Sequence, residues 1–301
     1  MSEYVLEMRE ITKRFPGVLA LDQAHLELRP GEVHCLMGEN GAGKSTMMKI
    51  LAGAQPADAG EILLDGEATV IHSPYHAQQL GISMIYQEFN LSPYLSVAEN
   101  IFLGREPRIG RTPFIDWKRM YRDASEVLAR VKVELDVRRP VNELSIAQQQ
   151  MVEIAKALSV QARIIVMDEP SATLTEHELA ALFTLIKTLR RQGIGLIYIS
   201  HRLEDIFEIG DRVTVMRDGH HVATKAVCDV TREDIIRMMV GRTLTEEYPK
   251  EFFERGAERL RVERLSRKGA FEDVSFSLHT GEIVGLTGLV GAGRTEVARA
   301  I

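Results

Sequence analysis

Over residues 4–28 apolar and polar positions alternate in short runs broken at Pro16-Gly17, a pattern that predicts antiparallel strands joined by turns. A short apolar run over 33–37 then enters a glycine-rich turn. Behind that turn, Met47, Met48 and Leu51 mark one face of a helix over 44–52, with Gly53 placed to cap it. Residues 60–66 read as a further hairpin and 81–86 as a strand. From 96 to 158 the period lengthens: Val97 and Ile101, then Ala124, Val127, Leu128 and Val131, recur at spacings of three and four, punctuated by Pro107, Pro113 and Pro140. A helical subdomain over about 88–160 follows. Beyond it lie an apolar strand at 164–167, an amphipathic helix at 176–191, a second apolar strand at 194–199, and a strand at 212–216 that ends in the Asp218-Gly219 turn. Strands alternating with helices predict an α/β fold with a mostly parallel core sheet, preceded by an antiparallel β-subdomain.

Residues 242–258 are charge-rich and weakly periodic and read as a linker, a surface helix being the alternative. After it the pattern begins again. At a constant offset of 250, residues 31–51 and 281–301 share Gly31/Gly281, Glu32/Glu282, Leu36/Leu286, Gly38/Gly288, Gly41/Gly291, Ala42/Ala292 and Gly43/Gly293. Further upstream, Leu21, Leu26 and Leu28 are answered by Phe271, Phe276 and Leu278. The chain therefore reads as an internal repeat, residues 1–241 and 259–301, with the second copy cut short.

Composition changes this picture little. With 301 residues, 45% hydrophobic and 27% charged, the chain is an ordinary globular one. A net charge of -6 argues against a nucleic-acid partner, which calls for a basic face. No run of 18 apolar residues and no basic-then-apolar leader occurs, so the expectation is a cytosolic chain whose membrane role, if any, needs a partner. Cys35 and Cys228 lie far apart without companions and are expected to be reduced fillers.

The chemistry concentrates in Gly38-Glu39-Asn40-Gly41-Ala42-Gly43-Lys44-Ser45, which satisfies the P-loop pattern between a predicted strand and a predicted helix. Glycines let successive backbone N–H groups turn toward phosphates, and the helix start adds its dipole to the same focus. Lys44 supplies a point charge and Ser45 a hydroxyl for Mg2+. Residues 164–169 are an apolar strand ending in Asp168 and Glu169, where a parallel sheet meets its ligand crevice: Asp168 for Mg2+, Glu169 for the attacking water. His201 follows the next apolar strand and is placed to reach the terminal phosphate; Gln87 could ligate Mg2+ or the water, and Phe15 could stack on adenine. Each of these three has an ordinary alternative: a solvated histidine, a solvated glutamine and a core phenylalanine.

In chain order Phe15, the 38–45 loop, Gln87, Leu144-Ser145-Ile146-Ala147-Gln148, Asp168-Glu169-Pro170 and Ser200-His201 resemble the motif set of ATP-binding-cassette ATPases. The run Gln148-Gln149-Gln150-Met151-Val152-Glu153-Ile154-Ala155-Lys156-Ala157 and the loop of the second repeat make the chain most similar to the tandem-cassette ATPases of bacterial monosaccharide importers. The resemblance implies ATP and Mg2+ as cofactors, with Asn40, Gly41, Gly43 and Thr46 in the nucleotide set. It further implies that Ser145 and Gln148 cap a phosphate held by an opposite cassette. Its implied partners are a second cassette or a homodimer partner, membrane permease subunits and, through them, a sugar-binding protein, at the cytoplasmic face of the inner membrane. The segment 88–105 would dock on the permease through Leu95 and Ile101.

Two departures stand out. Ile146 and Ala147 replace the family's two glycines, and Arg294 and Glu296 stand where Lys44 and Thr46 stand. A guanidinium is not a compact ammonium, and added side chains keep backbone amides at a distance, so one composite site is expected to be impaired and the chain alone to be a slow ATPase. The rival readings are a soluble cassette ATPase acting on nucleic acid or ribosomes, and a nucleotide sensor that does not hydrolyse.

Overall fold

The computed structural model describes residues 3–130, 133–171, 174–241, 255–288 and 291–301. In chain order the elements are β1 (Leu6–Phe15), β2 (Val18–Leu28), β3 (Val33–Met37), α1 (Lys44–Leu51), β4 (Ala59–Leu64), β5 (Glu67–Ala68), α2 (Pro74–Gln79) and β6 (Ile82–Ile85). Then come α3 (Val97–Phe102), α4 (Trp117–Arg130), α5 (Ile146–Ser159), β7 (Ile164–Asp168), α6 (Glu176–Arg191), β8 (Gly195–Ile199), α7 (Leu203–Ile209), β9 (Arg212–Arg217), β10 (His220–Ala226) and α8 (Arg232–Val240). The remainder is β11 (Glu258–Arg267), β12 (Phe271–His279) and α9 (Arg294–Ala300). The chain divides into two compact units, residues 1–243 and 244–301. Most of the expected linker, 242–254, and Val131 of the expected helical face lie outside the described residues.

The first unit is built on a six-stranded sheet in the order β10-β9-β3-β8-β7-β6. Five of these strands are parallel, and β10 joins the edge as the antiparallel arm of the Asp218-Gly219 hairpin. Period-two alternation splits each central strand between two cores. Val33, Cys35 and Met37 face the layer of α6 and α7, while Leu36 faces α1 and the second sheet, β2-β1-β4-β5. A third core gathers Val97, Ile101, Met120, Ala124, Leu128 and Val152 from α3, α4 and α5, the α-helices of the expected helical subdomain. Pro107 and Pro113 lie in the segment between α3 and α4, where a missing N–H does no harm.

Three expectations need correction. Ile101 is fully buried in the helical core and presents nothing to a partner; the large apolar side chains exposed along 88–105 are Tyr94 and Leu103. Cys35 is a buried filler, its thiol pushed up by burial, but Cys228 is exposed. The hairpin expected over 60–66 has its first strand, β4, and its Asp65-Gly66 turn in that range, but its second strand, β5, follows at 67–68, and β4 also pairs with β1.

One polar cluster sits just upstream of the phosphate-type loop. Glu32, 5% exposed, takes Arg212 Nε at 2.6 Å, Arg212 Nη2 at 3.2 Å and the Arg29 backbone N–H at 2.6 Å. Burial raises the Glu32 pKa, but the His34 ring at 3.4 Å and the forked guanidinium of Arg212 outweigh it and hold it at about 2. His34, fully buried, pairs its Nε2 with Thr214 Oγ1 at 2.7 Å, and burial lowers its pKa.

Candidate functional site

The parallel strands β3, β6, β7 and β8 all end on one edge of the sheet, and the chain leaving each carries one of the residues singled out above. From β3 it turns through 38–43 into α1. Gly43 is the N-cap and has no side chain to bond the first amides, so the N–H groups of the opening turn are left for a ligand. Lys44 is half-buried and bridges the loop from within, its Nζ donating to Gly38 O at 2.6 Å and Glu39 O at 3.0 Å. Burial lowers its pKa, and the nearby Glu169 and Asp168 carboxylates work against that shift.

Past β7, Glu169 adopts φ 48°, a left-handed conformation that costs a non-glycine residue about 1 kcal/mol. It is held there by its own N–H, which donates to Ile199 O at the end of β8 at 3.0 Å. The carboxylate lies between two of the other candidates: Oε1 is 3.4 Å from His201 Nδ1, and Oε2 accepts from Gln87 Nε2 at 3.4 Å. Next to it, burial pushes Asp168 up, as does the charge of Glu169, against the pull of Lys44 and Lys49.

These pieces surround one cavity of about 650 Å³. Asn40, Gly41, Gly43, Lys44, Ser45 and Thr46 form its floor, and Gln87, Asp168 and Glu169 one wall. Phe15, at the end of β1, lines it with Val18, Leu19 and Ala20. Phe15 is 38% exposed with the Lys13 ammonium 5.7 Å from its ring centre, so it is not a core residue. Gly38 joins through the carbonyl that accepts from Lys44, and His201, itself exposed, through Glu169.

Ser145 and Gln148 are elsewhere. They close the N-terminus of α5 as a capping box, Gln148 N–H to Ser145 Oγ at 3.3 Å and Ser145 N–H to Gln148 Oε1 at 3.0 Å. They line a different cavity of about 530 Å³, with Met151, His177 and Leu185 among its walls. Ile146, beside them, is 44% exposed.

Sequence reasoning missed Asp218, which lines the first cavity from the β9–β10 turn and carried only a turn signal.

A parallel sheet whose strand ends gather a glycine-rich loop, a lysine and an acid pair defines a P-loop nucleotide-type α/β domain. The family model described as ABC transporter matches residues 21–172. A ribose import ATP-binding protein of Rubrobacter xylanophilus is 54% identical over 99% of this chain and 59% of its own length. One of Geobacillus kaustophilus is 50% identical over 99% and 60%. A ribose/galactose/methyl galactoside import ATP-binding protein of Burkholderia lata, so named provisionally, is 54% identical over 99% and 58%. Among solved structures, an ATP-binding cassette of an ABC transporter in its ADP conformation superposes with a TM-score of 0.70 at 25% identity, covering 80% of this chain and all of that one. The chain belongs to the ABC transporter family and carries its ATP-binding cassette fold. It spans about three-fifths of the length of the curated relatives it matches. Among the described residues no helix is long and apolar enough to cross a membrane.

Proposed function

We propose that this chain binds MgATP in the cavity over the 38–45 loop and hydrolyses it to drive import of a monosaccharide through separate permease subunits fed by a sugar-binding protein. The observation that carries the reading is the convergence, in one cavity, of an uncapped helix start, a lysine cation and two adjacent carboxylates. The sugar class comes from the names of the relatives, ribose and galactose import proteins.

In this reading the phosphates replace the Gly38 and Glu39 carbonyls as partners of Lys44, the amides of the α1 N-terminus bind the same oxygens, and Phe15 stacks on the adenine. Glu169, held between Gln87 and His201, orients the attacking water and accepts its proton, while His201 reaches the terminal phosphate. Ser45, Asp168 and Gln87 offer hard oxygen donors in that cavity, and the half-buried, mutually repelling pair Asp168 and Glu169 leaves negative charge for a cation to neutralise. One carboxylate plus substrate phosphates is the habit of Mg2+, which when bound would screen the phosphate charge.

Ser145 and Gln148 line the other cavity, which supports the view that the phosphate cap comes from an opposite cassette or a second copy. The chain alone is then slow. We assign residues 1–241 to a first cassette, 242–258 to a linker and 259–301 to the start of a degenerate second one, working at the cytoplasmic face of the membrane with Tyr94 and Leu103 toward the permease.

The test is Glu169→Gln. Turnover should fall about a hundred-fold while ATP affinity stays within a few-fold, since the side chain keeps its size and Asp168 keeps its charge while the proton acceptor is lost. Equal turnover in the two proteins would overturn hydrolysis at this site. Specific activity that rises with protein concentration would support a cap supplied by a second copy.

A further inference from the structure

Among the groups that the proposed mechanism does not use, one buried carboxylate touches both loops that carry Glu169 and His201. Asp205, the third residue of α7, is fully buried. Its Oδ2 accepts three hydroxyls: Ser171 Oγ at 2.6 Å, Tyr198 OH at 2.9 Å and Ser200 Oγ at 3.1 Å. Its Oδ1 has no hydrogen-bond partner among the described residues and lies 3.5 Å from Arg202 Nε. The three hydroxyls are themselves buried, each at 2% exposure or less.

The positions of the donors matter more than their number. Ser171 is two residues beyond Glu169, on the loop that leaves β7; Ser200 immediately precedes His201, on the loop that leaves β8. Ser200 Oγ also accepts the backbone N–H of Arg202 at 2.9 Å, so His201 is bracketed by residues tied to one centre. Only Tyr198, within β8, belongs to neither loop. Burying a carboxylate among apolar neighbours is costly unless its bonds are made, and for stability alone a well-packed apolar side chain would serve as well. What an apolar residue cannot do is hold two hydroxyls from separate loops to a common point. Glu169 and His201 depend on that register, because their contact is a single approach of 3.4 Å between an exposed ring and a carboxylate on a left-handed residue.

We propose that Asp205 is a positioning residue: by binding Ser171 and Ser200 through one oxygen it sets the Glu169–His201 pair in place. The proposal rests on the hydrolytic reading above for its kinetic consequence, but not for its structural one.

Four variants of the full chain test it: Asp205→Asn, Ser171→Ala, Ser200→Ala and Tyr198→Phe. Turnover, affinity for a fluorescent ATP analogue, melting temperature and the ring carbon shifts of labelled His201 are measured for each. Asp205→Asn should lower kcat at least ten-fold with nucleotide affinity changed less than two-fold, and Ser171→Ala and Ser200→Ala should each lower it in part. Tyr198→Phe removes a bond to the same oxygen without touching either loop, so it should lower the melting temperature and leave kcat within two-fold. The His201 shift should move in Asp205→Asn and Ser200→Ala and stay in Tyr198→Phe. The proposal is overturned if Asp205→Asn and Ser200→Ala leave the His201 shift unmoved, or if Tyr198→Phe moves it equally. Should Asp205→Asn fail to fold, the two neutral serine variants carry the test, with Ser171→Ala, which loses only its bond to Asp205, deciding it by a lowered kcat and a moved His201 shift. The ring shift is read whether or not ATP is turned over, so a wild type no faster than Glu169→Gln would count against hydrolysis and not against the positioning.

Discussion

Two glycines of the phosphate-type loop separate what a backbone conformation costs from what a close approach costs. Gly41 has φ 86° and open space where a Cβ would stand; Gly43 has φ 98°, and its Cβ would come 2.8 Å from Ala20 O and 2.7 Å from Leu21 Cδ2. An alanine at either site adopts a left-handed conformation, at about 1–2 kcal/mol, partly offset by about 0.4–1 kcal/mol from a stiffer unfolded chain. Gly41→Ala should therefore lose only about 1 kcal/mol, which for a unit this size lowers the melting temperature by about 2–4 °C. Gly43→Ala carries the same conformational term and in addition drives a methyl into a backbone carbonyl. The Leu21 side chain can swing away, but Ala20 O is fixed, because the strand it belongs to is tied behind the loop by Asp22 N–H to Gly219 O at 3.0 Å, and Gly219 N–H to Ala42 O at 3.2 Å closes the same circuit. Overpacking of this kind adds about 1–3 kcal/mol to the same conformational loss of about 1 kcal/mol, so Gly43→Ala should melt about 4–16 °C below the wild type. Scanning calorimetry of the three proteins at equal concentration, without nucleotide, measures both. If Gly41→Ala proves as damaging as Gly43→Ala, the contact with β2 is not what makes the second glycine necessary, and the reasoning fails.

Other outcomes follow from the buried polar cluster and the helix caps. Arg212→Met leaves Glu32 buried without its fork and should cost about 3–5 kcal/mol near neutral pH, read by denaturation. The wild type has the Glu32 contribution in full above its unfolded pKa of 4.5 and loses it as pH falls toward about 2; in Arg212→Met that depression is weaker, with only the His34 and Arg29 bonds left against burial, so the gap between the two proteins should narrow in acid. His34 has a folded pKa below its ordinary 6.5, so under pH 6.5 the unfolded chain takes up a proton that the folded one refuses. Melting temperature should then fall as pH drops from 6.5 toward 5, with a smaller slope in His34→Asn; an unchanged slope would clear His34 of the effect. Ser145→Ala removes one half of the α5 capping box and should cost about 1 kcal/mol by denaturation, even though Ser145 lies outside the 650 Å³ cavity.

What was legible in the sequence was whatever is written locally. The apolar run of β3, the loop and the amphipathic start of α1 occupy consecutive residues, and so do the acid pair and its strand, so spacing alone located them. Asp205 was invisible for the opposite reason. Tyr198 and Ser200 lie only seven and five residues before it, but Ser171 is 34 residues away and reaches it only after β7 and β8 pair side by side. Ile101 was assigned to docking by resemblance alone, although its spacing from Val97 already put it on the apolar face that α4 and α5 bury. Glu32 and His34 likewise look like surface residues until β9 delivers Arg212 and Thr214 from about 180 positions away.

The repeat shows the same division within one molecule. Gly38, Gly41 and Gly43 have φ of 154°, 86° and 98°, and Gly288, Gly291 and Gly293 have 156°, 88° and 79°, so the two loops share their glycine backbone angles despite Arg294 and Glu296. The preceding run does not share its state. Val33–Met37 is wholly buried between β8 and β9, whereas the matching 283–287 forms no strand, and Ile283 is 98% exposed. Within the described part of 244–301 the pairing is that of β11 with β12, and neither gives 283–287 a ladder. A turn needs only its own glycines; a strand needs neighbours to take its N–H and C=O groups. The loop angles alone therefore do not make a phosphate site. In the first unit the acids Asp168 and Glu169 reach the cavity because β3 sits in a sheet whose strands β7 and β8 bring them to the same edge, so it is that sheet, and not the glycines alone, that assembles the site.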